Sequence, residues 1–329
     1  MPPRALPLPT EPSSWVGSPP PRRRALLEFA VQPQTMKLYR SAVHDFLDWV
    51  VGEQYDTTAM SSEEFDELLC DYVHHLYSLG DGRGRSNAVN ALCGVLAYAP
   101  ALKKRLPMTR RALVGWSKRC PPTPYPPVTW PVAVAISVRL AVNGHYRAGV
   151  GCLLAFVCLL RISELLNLRA SDVLEDGDKR AGVGFRGMWL RLRRTKTGAN
   201  KSVEVLRSDV RQLLRALVRI TPPEDLLFPF STATYRKHYK AVLAQLHISR
   251  DLVLHSLRHG GATWLFAELQ WPIADIAEHG RWASVESCRH YLQACRALLA
   301  SRSAEPVVDL GLILASDLVR CFALTQRHS

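Results

Sequence analysis

Three absences narrow what this 329-residue chain can be. No apolar run reaches the ~18 residues that span a bilayer, and no N-terminal segment has a signal-peptide core, so a membrane role is not expected and residence inside the cell is. The eight cysteines contain no C-x-x-C pair and no nearby Cys/His quartet, so they read as reduced thiols and neither a zinc site nor a disulfide framework is expected. No internal repeat of convincing period is present, which argues against a solenoid. What the chain has is positive charge: 42 Lys plus Arg against 29 Asp plus Glu, a net +13. Residues 121 to 329 hold 27 of the basic and 17 of the acidic side chains, and therefore +10 of that balance. A polyanionic partner is the physical implication.

Composition divides the chain. Residues 1–34 are rich in proline, with Pro19, Pro20 and Pro21 followed by Arg22, Arg23 and Arg24, and read as a disordered arm. From Thr35 a helical period begins: Met36, Tyr39, Val43, Phe46, Leu47 and Val50 recur mostly at three- and four-residue steps. Ser61 or Ser62 with Glu64 signals a second helix start, and further helices are expected over Val89–Leu96 and Arg110–Trp116. This makes a helical domain over 35–118. The prolines crowded into 119–129 permit no helix and predict a stiff linker. A second domain over 130–300 follows, with helices at Val132–Val142 and Gly149–Leu168, short strands at Met188–Arg194 and Ser202–Val205, and helices from about Ser208 onward. The fold class expected is mainly α with a small antiparallel β-sheet.

Four segments of the second domain hold polar residues that look ordinary alone. Arg161 and Glu164 lie three apart on the apolar helix, as an i,i+3 ion pair at a helix end or as a guanidinium that forks two phosphate oxygens while the carboxylate steadies it. Lys196, in Arg193-Arg194-Thr195-Lys196-Thr197-Gly198 between the strands, either belongs to a solvated turn or nonspecific DNA contact, or is a proton donor to a departing oxygen. His255 and Arg258 stand one helical turn apart; His259, four residues from His255, would suit a metal, but the intervening Arg favours phosphate instead. Finally, Trp282 precedes Tyr291 by nine positions.

In order and spacing this set resembles the tyrosine recombinases, or phage integrase family, over about residues 129 to 300; the helical stretch before it resembles that family's core-binding domain in layout only. The resemblance implies a catalytic group of Arg161, Glu164, Lys196, His255, Arg258 and Trp282 around the nucleophile Tyr291. It implies site-specific cleavage and rejoining of double-stranded DNA through a 3′-phosphotyrosine bond, with no metal, ATP or other cofactor, by a homo-oligomer, a tetramer on two duplexes, acting where the DNA lies: nucleus, or cytoplasm and nucleoid. Two positions depart from the pattern. Trp282 stands where His is commoner, and indole can donate a hydrogen bond but cannot exchange a proton. Gly260-Gly261 replaces a hydroxyl residue and a bulky one, and looser local packing is expected there. The alternatives are a type IB topoisomerase and a noncatalytic DNA-binding descendant. The tail over 301–329 either docks on a neighbouring protomer or packs on its own domain.

Overall fold

The computed structural model describes residues 30–326 apart from 58, 122–124, 179, 181–185, 196, 197, 250 and 303. Most of the expected N-terminal arm, the middle of the linker and Lys196 therefore lie outside the described residues. The chain divides into two compact units, 1–123 and 124–329. Among the described residues no helix is long and apolar enough to cross a membrane.

Among its described residues the first unit has four α-helices, α1 (Pro33–Gly52), α2 (Ser62–Leu79), α3 (Arg85–Tyr98) and α4 (Pro107–Arg119), with a short 3-10 helix at Pro100–Lys104. Pro33 opens α1, where its missing N–H has no intrahelical partner to lose. Ser61 caps α2: its hydroxyl accepts from Glu64 N at 3.2 Å, and the Glu64 carboxylate accepts from Ser61 N at 2.7 Å. The apolar stripes of the four helices meet in one core around Phe46, Leu69, Leu92, Leu106 and Trp116.

The second unit starts with α5 (Trp130–Val142) and α6 (Tyr146–Val157), both buried nearly throughout. The single helix expected over Gly149–Leu168 is in fact two. It stops at Val157, Leu159 turns into the left-handed region at φ 49°, and the five-residue α7 (Ile162–Leu166) begins after Arg161. A fully buried Leu159 holds this break, and the carbonyls it frees find other donors, described below. Strands β1 (Val173–Leu174), β2 (Trp189–Thr195) and β3 (Gly198–Glu204) form an antiparallel sheet in the order β1-β2-β3, one strand more than the sequence pattern suggests. The remainder is helical: α8 (Ser208–Arg219), α9 (Thr232–Gln245), α10 (Leu254–Ala267), α11 (Ile273–His279), α12 (Val285–Arg289), α13 (Ala294–Arg302), α14 (Glu305–Ser316) and α15 (Leu318–Gln326). The molecule is thus mainly α with a small antiparallel sheet.

The tail packs on its own unit. Val307, Leu318 and Phe322 are buried, the Phe322 ring meets Tyr146 edge-on at 5.3 Å, and Gly311 lets α14 close against the Pro131 carbonyl.

Candidate active site

Helix α10 is the spine of the site. Its Gly260 and Gly261 do not loosen the packing; they allow two very close approaches of backbone to backbone. A Cβ on Gly260 would lie 1.8 Å from the Val128 carbonyl oxygen, and one on Gly261 2.0 Å from that of Phe156. The expectation of looser packing is therefore corrected: bare backbone on one face of α10 lets α6 and the chain entering α5 press against it. That contact sets Arg258 beside the break at the end of α6.

At that break, backbone oxygens gather the cations. Val157 O accepts from His279 Nε2 at 2.9 Å, Cys158 O from Arg281 at 3.2 Å, and Leu159 O from Arg281 at 2.9 Å and from Arg258. A helix C-terminus carries partial negative charge and unpaired carbonyls, so it suits guanidinium groups. Arg258 is fully buried and also donates to Gly280 O at 2.6 Å. Its guanidinium lies 4.2 Å from the Trp282 ring centre and 5.6 Å from that of Tyr291. Burial above all, then the neighbouring Arg281 and Arg161 charges, lower its pKa to about 9, which leaves it charged at neutral pH.

Arg161 is the N-cap of α7 rather than a residue within a long helix. Its guanidinium donates to Glu164 Oε1 at 2.7 Å and its backbone N–H to Oε2 at 2.9 Å, and Arg281 reaches Oε2 at 3.0 Å. Burial opposes ionisation of Glu164, yet the Arg281 charge, the Arg161 bonds and Arg258 outweigh it and hold the carboxyl below its ordinary value. Glu164 therefore stays an anion that joins Arg161 to Arg281.

Tyr291 follows α12 in a non-helical segment. Its hydroxyl is 3.3 Å from His255 Nε2, and its ring packs against Trp282 with centroids 4.7 Å apart and against His259 at 4.3 Å. Burial first, then Arg258 and Arg161, lower the His255 pKa to about 4, so the imidazole is neutral. Gly280 is required beside Trp282, because a Cβ there would sit 1.7 Å from the indole. The Trp282 Nε1 and Arg258 Nε donors are buried and have no hydrogen-bond partner among the described residues.

The structure brings together Arg161, Glu164, His255, Arg258, Trp282 and Tyr291. Lys196 follows β2 directly in sequence and lies outside the described residues. On the strands leading to it, buried Asp172 accepts from Arg191 at 3.0 Å and Arg193 at 2.7 Å, tying β2 to the turn after α7. Sequence reasoning gave no role to Arg281, whose burial does not show in a pattern of spacings. It set His259 aside as a metal ligand and gave it no role beside Tyr291. Among the described residues no three His, Cys, Asp or Glu side chains converge as metal ligands, and the two histidines are engaged with Tyr291 instead.

Residues 141–297 match the model of the phage integrase family. No curated protein matches the chain. Among solved structures, the chain resembles the Tn1549 transposon integrase in complex with circular intermediate DNA, at 15% identity and a TM-score of 0.60 over 88% of this chain and 97% of that one. It resembles a lambda integrase dimer bound to a core site at 14% identity and a TM-score of 0.57, over 86% and 95% of the two chains. XerH bound to its palindromic difH substrate aligns at 15% identity and a TM-score of 0.54, over 82% and 78%. At these identities the likeness is one of fold.

Proposed function

We propose, on the premise that residues 141–297 match the phage integrase family model, that the protein is a site-specific recombinase that breaks and rejoins double-stranded DNA through Tyr291. The observation that carries this reading is the 3.3 Å approach of the Tyr291 hydroxyl to a neutral His255, with Arg258 and Trp282 facing the same ring. A phosphodiester repels nucleophiles by its charge, so cleavage needs donors on the nonbridging oxygens and a nucleophile that can shed its proton. Arg161, Arg258 Nε and Trp282 Nε1 are the donors, each aimed from a position fixed by its neighbours. Removing one such donor typically lowers a rate by about 10²–10³-fold.

In the reaction, Tyr291 Oη attacks phosphorus, the phenol proton passes to His255, the bond to the 5′ oxygen breaks, and Lys196 protonates that oxygen. The 3′-phosphotyrosine bond keeps the energy of the broken one, so a 5′ hydroxyl from another strand reverses the step and reseals the DNA. Glu164 touches no reacting atom; it holds Arg161 and Arg281 in register. The DNA complexes of the Tn1549 integrase and the lambda integrase dimer support double-stranded DNA as partner and assembly of several protomers on it; a tetramer on two duplexes is our reading, as is residence with the DNA inside the cell. Every side chain of the described set is chemically competent, which favours an enzyme over a noncatalytic descendant, and nothing in the site favours a topoisomerase.

The test is incubation with nicked suicide substrates built from the DNA flanking the gene, in EDTA, followed by a denaturing gel. A covalent adduct is expected with the wild type and none with Tyr291→Phe. An adduct that persists in that variant overturns the assignment.

A further inference from the structure

Helix α10 does more than present His255. Residues His255, His259 and Thr263 recur at four-residue steps and so line one stripe of the helix, and each holds Tyr291 at a different point. His255 meets the hydroxyl. His259 stacks on the ring, with centroids 4.3 Å apart and planes 21° from parallel. The Thr263 hydroxyl donates to the Tyr291 carbonyl at 3.1 Å and accepts from Gln293 N at 3.2 Å, closing the segment onto the helix.

Gln293 fixes the state of His259. Arg296, which can only donate, reaches Gln293 Oε1 at 3.0 Å, so the amide must turn its NH2 outward. That NH2 lies 3.0 Å from His259 Nδ1 and donates to it. The His259 ring proton then resides on Nε2, and its lone pair is occupied. Burial above all, with His255 and the Arg258 and Arg296 charges nearby, lowers its pKa to about 3, in agreement with a ring that stays neutral. A residue in that state is neither base nor metal ligand. It is a flat, uncharged wall against one face of the phenol, while Trp282 stands 4.7 Å from the same ring at a 56° tilt.

We propose that His259, Thr263 and Gln293 form a latch that fixes the attacking orientation of Tyr291, which makes them positioning residues for the nucleophile. The proposal rests on the reading of Tyr291 as nucleophile given above. Its physical basis is that a tyrosine outside regular structure would otherwise sample many ring orientations, and a misplacement of ~1 Å at a reacting atom lowers a rate by about 10²-fold. Because the latch lies within one protomer, it also delivers Tyr291 to the Arg258 of its own chain.

Thr263→Val, Thr263→Ser and Gln293→Ala variants of the full chain test it in two ways. Hydrogen exchange without DNA reads the latch itself: Thr263→Val and Gln293→Ala are expected to raise exchange over 290–296 by about tenfold, with the rest of the unit unchanged, and Thr263→Ser to stay near wild type. Single-turnover cleavage of the suicide substrate is expected to fall about 10- to 100-fold in the first two and to be restored in Thr263→Ser, with DNA binding unaltered. Wild-type exchange over 290–296 in Thr263→Val, or a Thr263→Ser variant as impaired as Thr263→Val, overturns the latch. An adduct in Tyr291→Phe overturns the nucleophile reading instead, and leaves the exchange result standing on its own.

Discussion

The two units place charge in opposite ways. In the first, residues 45–81 contain ten acidic and no basic side chains, and residues 83–119 nine basic and no acidic ones, nearly all of them at the surface. Its buried carboxylate, Asp66, accepts from Met108 N at 2.7 Å and Thr109 N at 3.0 Å at the start of α4, where a helix end welcomes an anion. In the second unit Glu164, Asp172, Arg258 and Arg281 are all buried, and Glu164 pairs directly with Arg281. Charge segregated along a chain builds an external field. A charge taken inside must instead find specific partners, as these four do.

That contrast can be broken by experiment, and the broadest expected effect is on pH. His255, His259 and His279 are held at pKa values of about 4, 3 and 4, against 6.5 for the free side chain. Their folded-state pKa is depressed, so the unfolded chain binds more protons as pH falls. The stability they contribute is complete above pH 6.5 and is lost progressively toward pH 4. The urea midpoint should drop steeply from pH 7 to 5 and less steeply in His279→Gln, whose amide can still donate to Val157 O; a flat wild-type profile would show that these rings are not buried neutral. Next in size, Glu164→Gln strands Arg281 in the interior and should cost about 3–5 kcal/mol in urea denaturation. Neutralising the exposed Glu67 to Gln should stay within ~0.5 kcal/mol. Equal responses at the two positions would erase the distinction. The smallest effect concerns backbone. A Cβ added at Gly115, in α4, would meet nothing within 4 Å, so Gly115→Ala should stabilise by about 0.5–1 kcal/mol, whereas Gly260→Ala should destabilise by about 1–3 kcal/mol or more. Thermal melts of the pair read the sign directly.

Periodicity made the helices and the scarcity of strand legible from sequence, because burial of one face leaves its mark every three or four residues. It misread 149–168 because the run Cys158-Leu159-Leu160 is as apolar as the helix before it; only the left-handed Leu159 ends the helix, and a leucine gives no warning of a positive φ. The residues that the structure gathers around Tyr291 stood out in the sequence through order and spacing. The residues that support them did not, for two different reasons. Arg281 donates to Cys158 O, Leu159 O and His279 O as well as to Glu164, and backbone acceptors have no side-chain signature. His259 and Thr263 did leave a signal, the four-residue step from His255, but it acquires meaning only once Tyr291 is seen to lie along that stripe.

The break after Val157 bears on how such a site can be moved or copied. Its anchors are three successive peptide oxygens, so replacing the side chains at 157–159 leaves the hydrogen-bond acceptors in place, and a mutational scan there reads core packing instead. Conversely, grafting Arg161, His255, Arg258, Trp282 and Tyr291 onto an uninterrupted helical scaffold would leave Arg258 and Arg281 without the oxygens that hold them. A portable version of this site must bring its broken helix along.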